Sequence, residues 1–200
     1  MGNIFLVMGK SATGKDHIYK SVLAELRDEL VPVVTYTTRP IRENEKNGVE
    51  YNFVSVSEME KLKAAGKVVE SRCYHTMKGD WYYFTCDDGQ IDTGARDSIM
   101  IVTPEAYAAL RDYYGNDVIR PIYIVSADAD RLRRSIKREE KQAEPNYSEV
   151  CRRYLADEQD FSPERLKELG ITGSFLNDNY DECVYEIVEY IKKEIAKQNG

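Results

Sequence analysis

Residues 9–16 read GKSATGKD, and seven of those eight letters fit the phosphate-binding pattern G-x-x-x-x-G-K-[ST]. Ahead of them, Asn3–Met8 (NIFLVM) is a short apolar run, as in a strand buried on both faces. Behind Lys15, the residues Ile18, Val22, Leu26 and Leu30 fall at helical spacing. A glycine loop at this strand-to-helix turn can cradle an anion. Gly9 and Gly14 let the backbone turn sharply and aim several N–H groups at one point. The helix adds its positive end, and Lys15 adds a mobile full charge. Gly9, Ser11, Ala12, Thr13, Gly14, Lys15 and Asp16 are therefore candidate ATP-binding residues.

The eighth letter departs from the pattern, because Asp16 stands where a small hydroxyl usually holds magnesium. An aspartate in a first helical turn also simply complements the helix dipole. Beside a triphosphate, however, a carboxylate repels unless a cation neutralises it, and carboxylates ligate Mg²⁺ well. Asp16 is the candidate metal ligand, direct or through water, for Mg²⁺ bound with ATP.

Further along, Val31–Thr37 reads as a strand, and SEMEKLKAAG from Ser57 reads as a helix with a Ser57/Glu60 capping box and a closing Gly66. Val68–Tyr74 and Trp81–Thr85 read as strands separated by KGD at 78–80. Ile99–Val102 and Ile119–Val125 are further strands, and Thr103-Pro104-Glu105 starts a helix between them. A basic helix opens at Asp128, breaks at Glu144-Pro145-Asn146 and resumes over Tyr147–Asp160. Ser162-Pro163-Glu164 starts a short helix, and Ile171–Leu176 reads as a last strand. The final helix lines up Val184, Ile187, Val188, Ile191 and Ile195. Strands alternating with amphipathic helices predict an α/β fold, a parallel sheet with helices on both sides. Residues 38 to 96 break that alternation, as an insertion would.

The stretch TYTTRPIRENEKNGVEYNFV at 35–54 sets Arg39 and Arg42 three residues apart, with Tyr51 following. Two planar guanidinium forks and a phenol suit a phosphate. A solvated charged loop would read the same way taken alone. With the first motif, this stretch resembles the guanylate kinases, which carry a phosphate loop, then T-T-R-x-x-R, then N-G-x-[DE]-Y-x-F-V. Here those letters are Thr37, Thr38, Arg39, Arg42, Asn47, Gly48, Glu50, Tyr51, Phe53 and Val54, without gaps. The resemblance continues through Glu70 to LNDN at 176–179.

That resemblance implies a P-loop NTPase fold in a single guanylate-kinase-like domain over 1–200. Its core would be 1–34, 97–127 and 161–200, its inserted monophosphate-binding lobe 35–96, and its helical lid 128–160. It implies ATP-dependent phosphorylation of GMP. Arg39, Arg42 and Tyr51 would hold the monophosphate, with Tyr82 joining them. Glu70 would accept from guanine N1–H and the 2-amino group, and Thr35 would meet the O6 side. Lys15, Arg42 and Arg153 would be catalytic, Arg134 and Arg138 lid candidates, and Asn177 a neighbour of the adenine. The pattern also fails in one place. The family's D-x-D-x-Q-G is replaced by Ile101, Val102, Thr103, Pro104, Glu105 and Ala106, so acidity lost at Thr103 is expected to have moved to Asp16. Ribose 1,5-bisphosphate phosphokinases share a G-K-D loop and the missing acids, and some guanylate-kinase-like domains only bind proteins. Both stay open as alternatives.

A net charge of −7 excludes a polymer-coating nucleic-acid binder. Cys73, Cys86, Cys151 and Cys183 form no C-x-x-C pair, so neither a zinc site nor a disulfide framework is expected. No leader and no membrane span is read, which predicts a cytoplasmic protein, monomeric or homodimeric.

Overall fold

In the computed structural model, which describes residues 1–76 and 79–198, β1 (Ile4–Met8) runs into the glycine loop and α1 (Lys15–Glu25) leaves it. Then follow β2 (Leu30–Pro32), β3 (Tyr36–Thr37), β4 (Asn52–Phe53), α2 (Val56–Ala64), β5 (Val68–Thr76) and β6 (Gly79–Cys86). After them come β7 (Asp97–Ile101), α3 (Pro104–Tyr114), β8 (Ile119–Val125), α4 (Asp128–Glu139) and α5 (Tyr147–Asp160). The chain closes with α6 (Pro163–Glu168), β9 (Phe175–Leu176) and α7 (Tyr180–Gln198).

β1 lies at the centre of a parallel sheet of order β2-β7-β1-β8-β9. All of its residues are buried, which explains its unbroken apolar letters. Because strand side chains alternate, Ile4, Leu6 and Met8 face a layer with Tyr107 and Leu110 of α3. Phe5 and Val7 face the other layer, with Ile18 and Val22 of α1 and Ile187 of α7. A second sheet, β4-β3-β6-β5, stands apart and is backed by α2, whose Met59 packs on Phe84 and Cys86. Among the described residues no helix is long and apolar enough to cross a membrane. All four cysteines are unpaired.

Three expectations need correction. The single strand Val31–Thr37 is two strands in different sheets. At Val34 the backbone turns to side chains, donating to Gln90 Oε1 at 2.8 Å and accepting from Asn52 Nδ2 at 2.9 Å, so the ladder stops there. The capping box is Ser55/Glu58, not Ser57/Glu60. The segment holds two overlapping S-x-x-E spacings, and the upstream one forms, while Gly66 at φ 68° follows the helix as expected. The last strand keeps only Phe175–Leu176. Ile171 is held by the preceding helix, its N–H on Leu166 O at 2.9 Å. Lys78 of the expected KGD turn lies outside the described residues.

Candidate active site

The glycine loop is pinned from three sides. A Cβ on Gly9 would lie 2.6 Å from Ile124 O, so β8 leaves room for nothing larger. Gly14 takes φ 90°, and a Cβ there would meet Asn177 Nδ2 at 2.6 Å. That Nδ2 donates to Thr13 O at 2.6 Å. Asn177, expected near the adenine, is thus buried against the loop backbone and fixes its shape. Ala12 sits at φ 62°, a left-handed conformation that costs a non-glycine residue about 1–2 kcal/mol. Thr13 is buried, and its hydroxyl donates to Lys10 O at 2.9 Å. Lys15 is largely covered, with Nζ 3.9 Å from Asp16 Oδ2, whereas the Asp16 side chain is 69% exposed.

The α4–α5 arm is tied directly to this loop. Arg131 is buried, donating through Nε to Ser11 O at 3.2 Å and through its NH groups to Asp128, Asp157 and Glu158. Its guanidinium lies over the Tyr154 ring at 5.1 Å. Ser11 N–H donates to Asp157 Oδ2 at 2.7 Å, and Lys10 Nζ reaches Glu158 Oε1 at 2.7 Å. The Lys10 hydrogen bond holds the Glu158 carboxyl below its ordinary range. Sequence reading singled out Arg134 and Arg138 in this helix and missed Arg131. Asp128 lies three residues away, an ordinary helical ion-pair spacing, but the Asp157 and Glu158 partners that tie Arg131 to the loop lie 26 and 27 residues away, beyond the reach of local spacing. Arg134 is exposed, its NH1 3.3 Å from Ala12 O. Arg153 and Arg152 share Glu149, whose pKa is pulled to about 2, chiefly by the Arg152 hydrogen bond.

The second sheet presents one polar face. Its register sets Glu70 opposite Thr85 and Arg72 opposite Tyr83. Glu70 is buried and accepts from Thr85 Oγ1 at 2.8 Å and from Arg72 Nε at 3.1 Å. Arg39 is also buried. Its fork is closed by Glu45, with both N···O distances at 2.8 Å, while Nε donates to Tyr83 OH at 3.1 Å. The guanidinium lies over Tyr51 and Phe53 at 5.5 and 5.3 Å. The motif's Asn47 and Gly48 shape the loop below: Asn47 Oδ1 accepts Phe53 N–H at 2.7 Å, and Gly48 sits at φ 79°. Thr35 is half-buried, its carbonyl accepting Asn52 N–H at 2.8 Å. Tyr82 points the other way, onto the Met59 cluster. Tyr83 takes the place by Arg39 that sequence reading gave to Tyr82. Strand alternation decides this, and it also puts Thr85 rather than Phe84 on the polar face.

A cavity of about 700 Å³ lies along the α4–α5 arm, with Arg138 and Arg153 on its wall. Ser11 of the loop and Arg42, between β3 and β4, reach its edge. Burial, and after it the neighbouring Tyr83, raise the Tyr51 phenol pKa.

A parallel α/β core, a glycine-lysine loop at its central strand and an inserted second sheet define a P-loop α/β protein. The family model for guanylate kinase matches residues 1–194, and the chain belongs to that family. It is 37% identical over 113 residues to the guanylate kinase of Neisseria meningitidis, a match covering 56% of this chain and 53% of that relative. The chain thus spans about half the length of the curated relatives it matches first. With the guanylate kinase of Symbiobacterium thermophilum it is 29% identical over 206 residues, covering 100% of this chain and 90% of the relative. The crystal structure of guanylate kinase from Anaplasma phagocytophilum superposes with a TM-score of 0.64 at 17% identity, covering 96% of this chain and 86% of that one.

Proposed function

We propose that the protein transfers the γ-phosphate of ATP to GMP, giving ADP and GDP. The observation that carries this reading is that Ser11 of the loop and Arg42 both reach the cavity walled by the arm, where Arg138 and Arg153 also lie. ATP binds residues 9–16, GMP binds the lobe 35–96, and the arm 128–160 is the lid. Lys15 follows the β and γ phosphates. Arg42, exposed at the cavity, meets the acceptor phosphate directly. Arg39, closed by Glu45, acts through the Tyr83 hydroxyl that it holds, leaving that proton for the phosphate. Arg153 and Arg138 neutralise charge on the moving phosphoryl group. An acceptor oxygen that is already anionic attacks in line, so no side-chain base is needed.

Asp16 fits a magnesium site, since it offers a hard, exposed carboxylate at the end of the loop. Mg²⁺ held there would neutralise the triphosphate and the carboxylate together. The intact Gly9, Gly14 and Lys15 favour an enzyme over a purely protein-binding domain. The test is GMP-dependent ADP release from ATP·Mg: it should be present in the wild type and abolished in Lys15→Ala. ATP binding with no GMP-dependent release would refute the proposal.

A further inference from the structure

Arg72 lies on the polar face of the second sheet, and its charge serves no role in the proposed transfer. It neighbours Glu70 on the same face of β5, and the two side chains are only 16% and 6% exposed. Nε and NH2 of Arg72 donate to Glu70 at 3.1 and 3.4 Å, and NH1 donates to Thr103 Oγ1 at 2.9 Å. Thr103 is fixed in turn, because its hydroxyl caps α3 by accepting Ala106 N–H at 3.3 Å. A guanidinium carries five N–H donors. Three are taken by these contacts, which leaves one on NH1 and one on NH2. Thr103 is neutral, so it orients Arg72 without quenching its charge. Glu70 is held just as firmly by Thr85.

We infer that Glu70 and Arg72 form one rigid reading edge, and that Arg72 is a specificity residue donating to the 6-oxo group of the purine. The inference rests on GMP being the acceptor. Guanine presents, in order, a 2-amino donor, an N1–H donor and an O6 acceptor. Beyond the bonds to Arg72 and Thr85, the Glu70 carboxylate keeps lone pairs and Arg72 keeps two N–H groups, so the pair offers acceptors and then a donor, the complement of that order. Adenine reverses both of the positions it shares: its bare N1 faces the carboxylate, and its 6-amino group faces the guanidinium. Each mismatch sets acceptor against acceptor or donor against donor at a buried charged pair, a strong basis for rejecting a near-isostere. Glu70 thus reads positions 1 and 2, and Arg72, rather than the Thr35 expected from the sequence, reads position 6.

The test compares GMP with 6-thio-GMP, whose sulfur is a poor acceptor, and with IMP, which lacks only the 2-amino group. The wild type is expected to favour GMP over 6-thio-GMP in kcat/KM by roughly tenfold to a hundredfold, the scale of a hydrogen bond to a charged group. In Arg72→Met that preference collapses towards unity, while the GMP/IMP preference, read by Glu70, survives. Equal use of GMP and 6-thio-GMP by the wild type overturns the inference without any variant. So does an Arg72→Met protein in which GMP and 6-thio-GMP fall together and the GMP/IMP ratio falls with them, because Arg72 then only props Glu70. A wild type that ignores GMP removes the proposed function and this inference with it. One that uses GMP but shows either of the first two outcomes loses only the role of Arg72.

Discussion

The Asp157 carboxylate accepts the backbone N–H of Ser11 at 2.7 Å, so the phosphate loop already carries one anion supplied by α5. ATP must share or displace it. Asp157→Asn removes that charge and should tighten ATP·Mg binding by roughly twofold to fivefold, the scale of one ion-pair interaction. The same change weakens the support of buried Arg131, which Asp157 holds at 3.1 Å. Stability should therefore fall, by about 1–3 kcal/mol. Titration calorimetry and thermal unfolding measure the two effects, and opposite signs are the expected signature.

Tyr83 and Tyr82 make a paired test of the acceptor site. Only Tyr83 touches Arg39, with its hydroxyl 3.1 Å from Nε. Tyr83→Phe should raise the KM for GMP about tenfold, one charge-assisted hydrogen bond. Tyr82→Phe should leave it unchanged. Steady-state kinetics on the two variants decide which tyrosine serves the site.

Glu45 predicts an acid limb in stability. Its carboxyl is pulled from 4.5 to about 2, first by the Arg39 hydrogen bond. A lowered folded-state pKa means stability that is present above about 4.5 and lost as pH falls towards 2. Chemical unfolding between pH 6 and pH 2 should show that loss in the wild type, and Glu45→Gln should flatten it.

Asp16→Asn tests the relocated acid. If its carboxylate serves the metal, the Mg²⁺ concentration for half-maximal rate should rise severalfold, with ATP binding in the absence of metal unchanged or better. Metal titrations at fixed ATP read this directly, and an unaltered Mg²⁺ requirement would return Asp16 to the helix-dipole role.

What could be read from the sequence follows from how local each cause is. β1 and its loop were legible because burial on both faces leaves one unbroken apolar run and the turn needs glycine at fixed places. The N-cap at Thr103-Pro104 and the start of α5 at Tyr147 were legible because capping chemistry is local. β3 and β4, each two residues long, carry too few letters to show a period. The Arg39–Glu45 clasp, Arg131 among its acids and Arg72 between Glu70 and Thr103 are matters of tertiary pairing, which spacing along the chain does not encode. Tyr82 and Tyr83 differ only in which face of β6 they occupy, and that depended on a register visible only once β5 had paired.

The account stands most directly on an acceptor screen with ATP·Mg, comparing GMP, dGMP, AMP, UMP and ribose 1,5-bisphosphate under one set of conditions. It predicts that GMP gives the highest kcat/KM, that AMP and UMP are rejected, and that Lys15→Ala removes all transfer. Preferred phosphorylation of ribose 1,5-bisphosphate, or equal use of AMP and GMP, would contradict it.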